Sequence, residues 1–135
     1  MMLYLLDTNI VSYAIKPQYL ALRDRIEQEL LKRSLAISAI TRAELRVGQA
    51  LMQLDDKRIS TIDDTLSTLP TLAWTAQAAD IYGKIDSVLI KTGRQIGMAD
   101  AMIAAHALAE NLTLVTHNVR HFERIGGLKI EDWTV

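Results

Sequence analysis

Four polar residues stand at the ends of strand-like apolar runs or at the starts of helix-like patterns: Asp7, Glu44, Asp100 and Asn118. Asp7 ends the run Met2-Leu3-Tyr4-Leu5-Leu6. Glu44 lies in the first turn of the helix expected after "LAIS", Asp100 opens an alanine-rich helix after "RQIGMA", and Asn118 follows "LTLVT". A carboxylate set directly after a buried strand is costly to keep charged. Three carboxylates brought to one crevice repel and raise one another's pKa unless something positive intervenes. A bound divalent cation is the simplest remedy, and hard oxygen donors without histidine or cysteine suit Mg²⁺ or Mn²⁺.

Each residue also has an ordinary reading. Thr41-x-x-Glu44 fits a capping box, in which the two side chains satisfy backbone donors at a helix start. Asp100 suits the positive end of a helix dipole, Asn118 is a good N-cap, and Asp7 can cap the short helix that follows it. Taken singly, each of these suffices. Taken together, three acids and an amide at strand ends and helix starts are harder to assign to capping alone.

The elements that would position them read as alternating strands and helices. Residues 2–6 are uniformly apolar and too short for a helix, as a doubly covered parallel strand would be. Further strands are expected at 35–38, 71–74, 112–116 and, as an edge, 128–130. Helices are expected at 8–15, 19–32, 41–52, 59–69, 76–91, 99–110 and 118–124. Pro17 ends the first of these near Lys16, and Asn111 suits a left-handed stop. The pattern implies an α/β fold, a helix/sheet/helix sandwich around a mostly parallel sheet of four to five strands. In such sheets ligands bind beyond the carboxyl ends of the strands, where the four polar residues fall.

The 135 residues suit one domain over 1–135, with no repeat, linker or low-complexity segment. Half are hydrophobic, enough for a core. The absence of cysteine excludes disulfides, thiolate–zinc sites and a thiol nucleophile. No apolar stretch approaches the ~18 residues of a membrane span and no signal peptide is visible, so no membrane is expected and cytoplasm is the default location. A net charge of −1 neither announces nor excludes nucleic acid.

The stretches "LLDTNI" (5–10), "AISAITRAELRVG" (36–48), "GRQIGMADAMIAAHAL" (93–108) and "LVTHNVRHFERIGGLKIEDW" (114–133) together resemble PIN-domain nucleases of the VapC toxin family, in order and in separation over nearly the whole chain. The resemblance implies a PIN fold and Mg²⁺-dependent endonucleolytic cleavage of structured RNA, with Mn²⁺ as substitute. tRNA anticodon loops or a ribosomal RNA loop are the implied targets. It implies a VapB-like antitoxin, a homodimer, and contact with operator DNA only through the antitoxin. By the same resemblance Asp7, Glu44 and Asp100 are the metal ligands. Asn118, where relatives carry Asp or Asn, positions water or substrate, and Thr8, Asn9 and Thr116 support the site. Asn9 is expected either to orient Asp7 or, with Thr8, to cap the first helix. Cleavage by water in line at phosphorus would leave 5′-phosphate and 3′-hydroxyl ends.

Arg42, Arg46, Arg94, Arg120 and Arg124 lie beside these motifs and are candidates for RNA or antitoxin contacts, or else ordinary helix-surface charge. Among the histidines, His117 and His121 flank Asn118 and are within reach of a phosphate, whereas His106 need not face the site. Three alternatives stand beside this reading. An aspartyl-phosphate enzyme would want a second acid where Asn9 stands. An inactive PIN-fold binding module would lack an acid, and none is missing. DNA remains open as the substrate, because carboxylates and a metal do not read the 2′-hydroxyl.

Overall fold

The apolar runs form one sheet in a computed structural model that describes residues 1–135. Its strands are β1 (Tyr4–Leu6), β2 (Leu35–Ser38), β3 (Thr71–Leu72), β4 (Thr113–Val115) and β5 (Ile130–Glu131), in the order β3-β2-β1-β4-β5. Every neighbouring pair is parallel. The sheet thus has five strands and is wholly rather than mostly parallel. Between strands run α1 (Thr8–Ala14), a 3-10 turn (Pro17–Tyr19), α2 (Leu20–Leu31), α3 (Ala39–Ala50), α4 (Arg58–Thr68), α5 (Ala76–Lys91), α6 (Met98–Ala109) and α7 (Val119–Phe122). No helix is long and apolar enough to cross a membrane.

β1 is central and covered on both faces, which is why it carries no polar alternation. Successive side chains point to opposite faces. Leu6 joins a core with Ile10, Val11, Leu22, Ile26, Ile62 and Leu66 from α1, α2 and α4. Leu5 joins a second core with Leu89, Ala104, Ala107 and Phe122 from α5, α6 and α7. α6 is alanine-rich because it lies buried between α5 and the sheet, and small side chains allow its close approach to α5.

Three local readings change. α3 begins at Ala39, capped by Ser38, whose hydroxyl accepts the Ile40 N–H at 3.1 Å. The Thr41/Glu44 capping box therefore does not form, and both side chains are released for other partners. On α2, Leu22 and Ile26 point inward, while Leu20 and Leu31 are exposed, so the apolar stripe is narrower than the spacing suggests. Thr8 and Asn9 do not cap α1, because Asp7 does.

Candidate active site

Asp7 leaves the C-terminal end of β1 with its N–H still in the ladder, donating to the Val115 carbonyl at 3.0 Å. Its carboxylate oxygen Oδ1 accepts the Ile10 N–H at 2.8 Å and so caps α1. The side chain is only 3 % exposed. Burial is the main force on it, raising its pKa to about 6; the Thr116 hydroxyl and Ile10 N–H oppose this, while the charges of Asp100 and Glu44 add to it. The three acids are therefore close enough to sense one another.

Glu44, one turn into α3, accepts the Thr8 hydroxyl at Oε1, 2.5 Å away. Thr8 Oγ1 also lies 3.1 Å from Thr41 Oγ1. With the one Thr8 hydrogen on the carboxylate, that contact is left for the buried Thr41 to donate. Asp100, in the first turn of α6, has Oδ2 3.2 Å from His121 Nε2. Burial raises the pKa of Asp100 and Glu44 raises it further, with His121 pulling the other way. Asn118 is exposed at the start of α7 and its side chain caps nothing; its N–H donates to Thr116 Oγ1 at 3.0 Å. Fully buried Thr116 thus links Asn118 to Asp7.

The supporting residues divide. Thr8 and Thr116 touch the acids, whereas Asn9 is exposed and makes no side-chain hydrogen bond, so Asp7 is oriented by Ile10 and Thr116 instead. Of the arginines, Arg42 donates to the Leu66 carbonyl and Thr71 hydroxyl, Arg46 pairs with Asp63 at 2.6 Å, and Arg124 donates to the carbonyls of Arg94 and Gln95. Those three serve the fold, and only Arg94 and Arg120 are exposed without such a partner. His117 donates from Nδ1 to Asp132, 3.0 Å away, and His106 is buried against the Ser38 hydroxyl at 2.7 Å. Thr41 and His121 are contacts that sequence reasoning missed. Thr41 looked like a cap, and nothing in local spacing joins His121 to Asp100.

A divalent cation fits this donor set in chemistry. The donors are hard carboxylate oxygens, and Asp7 is held above the usual carboxylate range partly by the two acids beside it. No group of three such side chains is drawn together into a cage; each rests on its own partner, Asp7 on Ile10, Glu44 on Thr8 and Asp100 on His121.

The PIN domain model matches residues 4–128. This chain belongs to the PIN-domain family, among the VapC ribonucleases. It is 37 % identical over 134 residues to the "tRNA(fMet)-specific endonuclease VapC" of Shigella flexneri, covering 99 % of this chain and 100 % of that one. It is 41 % identical over 133 residues to "Ribonuclease VapC2" of Haemophilus influenzae, covering 98 % and 99 %. Among solved structures it superimposes on VapBC2 from Rickettsia felis bound to a promoter DNA fragment, with a TM-score of 0.89 and 38 % identity, covering 98 % of this chain and 99 % of that one. VapBC-1 from nontypeable Haemophilus influenzae gives a TM-score of 0.87 at 40 % identity, covering 99 % and 100 %. The all-parallel sheet flanked by helices is the architecture these proteins share.

Proposed function

We propose that this chain is a metal-dependent endoribonuclease toxin, one PIN domain over 1–135, that hydrolyses phosphodiester bonds in structured RNA and so inhibits translation. The observation that carries this reading is the placement of buried Asp7 at the end of the central strand, where the charges of Asp100 and Glu44 both act on it. Asp7, Glu44 and Asp100 would hold Mg²⁺, with Mn²⁺ as substitute. Such an ion neutralises charge on the phosphate and lowers the pKa of the attacking water. Asn118, exposed beside Thr116, presents a neutral amide to substrate or water. Thr8 and Thr116 hold the acids through hydroxyl contacts, and burial of Asp7 keeps bulk water from its carboxylate. Of the five candidate arginines, Arg94 and Arg120 are left free to meet phosphates.

The name of the Shigella relative makes a tRNA the first substrate to try, with ribosomal RNA second. The cytoplasm, where tRNA and ribosomes are found, is the proposed location. A VapB-like antitoxin is the proposed partner, given that the Rickettsia and Haemophilus neighbours are VapBC assemblies. A groove of about 400 Å³ between α1, α2 and α4, lined by Val11, Ile15, Ile26, Leu30 and Leu69, suits an amphipathic helix of such a partner. None of the four proposed catalytic residues lines that groove. A homodimer is proposed as well, with operator DNA contacted only through the antitoxin.

The test is cleavage in vitro of total tRNA and ribosomal RNA with Mg²⁺, Mn²⁺ or EDTA, beside Asp7→Ala. Discrete fragments bearing 5′-phosphates, dependent on metal and absent in the variant, are expected. Cleavage that survives EDTA or the substitution would refute the mechanism. Cleavage of DNA but of no RNA would refute the substrate.

A further inference from the structure

The entry to α6 has little of its own to fix it. Its N-cap is Gly97, at φ 96° and ψ 150°, with no side chain to bond the first helical N–H groups. Asp100 in the first turn makes no hydrogen bond to its own helix, and the one side chain in polar contact with it is His121. That contact comes from a different element, the short helix α7.

The proton on His121 can be assigned. Nε2 lies 2.7 Å from the Ile96 carbonyl oxygen, which only accepts, so Nε2 carries the hydrogen. Nε2 also lies 3.2 Å from Asp100 Oδ2, a hydrogen bond that helps to hold the Asp100 pKa down against burial. One donor thereby joins the backbone just before Gly97 to a carboxylate one turn beyond it. His121 is itself well anchored. Phe122 beside it is fully buried, and the His121 ring stands edge-on to it at 5.7 Å between centroids. In the turn just after α7, Arg124 donates to the carbonyls of Arg94 and Gln95 at 3.3 and 3.2 Å. Three consecutive carbonyls leading into α6 are therefore held from α7, the helix that Asn118 begins, and from the turn that follows it.

We propose that His121 is a positioning residue for Asp100: its Nε2–H, shared between the Ile96 carbonyl and the Asp100 carboxylate, fixes the entry to α6 and leaves Oδ1 of Asp100 to face a divalent cation. Metal-ligating groups are commonly oriented by such outer partners, whose loss typically weakens metal binding by about 10- to 100-fold. The inference rests on the reading of Asp100 as a cation ligand. It adds to that reading a rigid link between the two halves of the site that α6 and α7 carry.

The experiment measures Mn²⁺ binding by electron paramagnetic resonance on metal-free protein, and separately kcat and KM for RNA. His121→Phe keeps an aromatic ring against Phe122 and removes the donor; His121→Gln restores an N–H. His121→Phe is expected to weaken Mn²⁺ binding about 10-fold or more and to lower kcat, with KM for RNA within about two-fold of the parent. His121→Gln is expected to recover most of both. Parent-like Mn²⁺ affinity in His121→Phe overturns the proposal, as does a His121→Gln no better than His121→Phe. Asp100→Asn is the control: if it binds Mn²⁺ as the parent does, Asp100 is not a ligand and the inference fails with that reading. If Mn²⁺ affinity follows the expected order but the parent cuts no RNA, the positioning role stands and the nuclease reading falls.

Discussion

Asp7 is asked to do two things that conflict without a metal. Its carboxylate caps α1, and it sits buried near two other acids. In the folded protein its pKa is about 6, against 3.8 for a free group. Between those values the folded state keeps a proton that the unfolded state releases, so stability falls as pH rises from about 4 to about 6 and stays lowered above. Asp7→Asn keeps the capping oxygen and removes the charge. At pH 7.5 the metal-free variant is expected to be more stable than the metal-free parent by roughly 3 kcal/mol, while losing cleavage. His106 works in the opposite direction, since burial lowers its pKa and protonation below about 6.5 favours the unfolded state. Subtracting the two proteins' denaturation curves at each pH cancels that contribution. A difference that does not shrink as pH falls from 7.5 to 4 would refute the account of Asp7. The acids themselves could be found in the sequence because each follows a strand or opens a helix. Their hydrogen-bond partners could not. Thr41 carries the pattern of a cap, yet its hydroxyl is turned toward Thr8, because Ser38 already satisfies the Ile40 N–H.

Helices and strands were mostly apparent from apolar spacing and from Pro17, but their ends depend on which of several capping residues wins. Ser38 and Thr41 are both good caps by type, and the buried end of β2 selects Ser38. The α6 start shows the reverse case, where no polar cap is available and glycine sets the turn. Gly97 lies in a region of backbone space that is essentially closed to side chains. No heavy atom lies within 4 Å of where its Cβ would be, so a substitution meets backbone strain and no clash. Gly97→Ala is therefore expected to cost about 1–3 kcal/mol in urea denaturation. Relief of that strain would shift the α6 entry and misplace Asp100, so cleavage should fall by more than the unfolded fraction explains. A Gly97→Ala protein with parent stability and parent activity would show that this turn does not set the site.

In the whole molecule the acids come within electrostatic reach of Asp7 because of strand order, which periodicity does not encode. β1 pairs with β2 on one side and with β4 on the other. The chain leaves β1 through helices on one face, and leaves β4 through α7 on the opposite face. The connections diverge at the carboxyl ends of β1 and β4, the place where a crevice opens in sheets of this order, and Asp7 and Thr116 follow those two strands. A net charge of −1 then sets a limit on how RNA is held there. With no overall positive field, binding must depend on a few local cations, and the fold has already engaged Arg42, Arg46 and Arg124. The salt dependence of RNA binding should accordingly be shallow. Measured in the Asp7→Asn background, so that no RNA is cut, Arg120→Ala is expected to reduce the slope of log K against log salt by roughly 0.7 to 1. Arg46→Ala, which breaks the exposed pair with Asp63, should leave that slope unchanged and alter stability by less than about 1 kcal/mol. If Arg46→Ala flattens the slope while Arg120→Ala does not, RNA approaches over α3 and α4 instead of past α7, and the crevice between β1 and β4 is not its route to the acids.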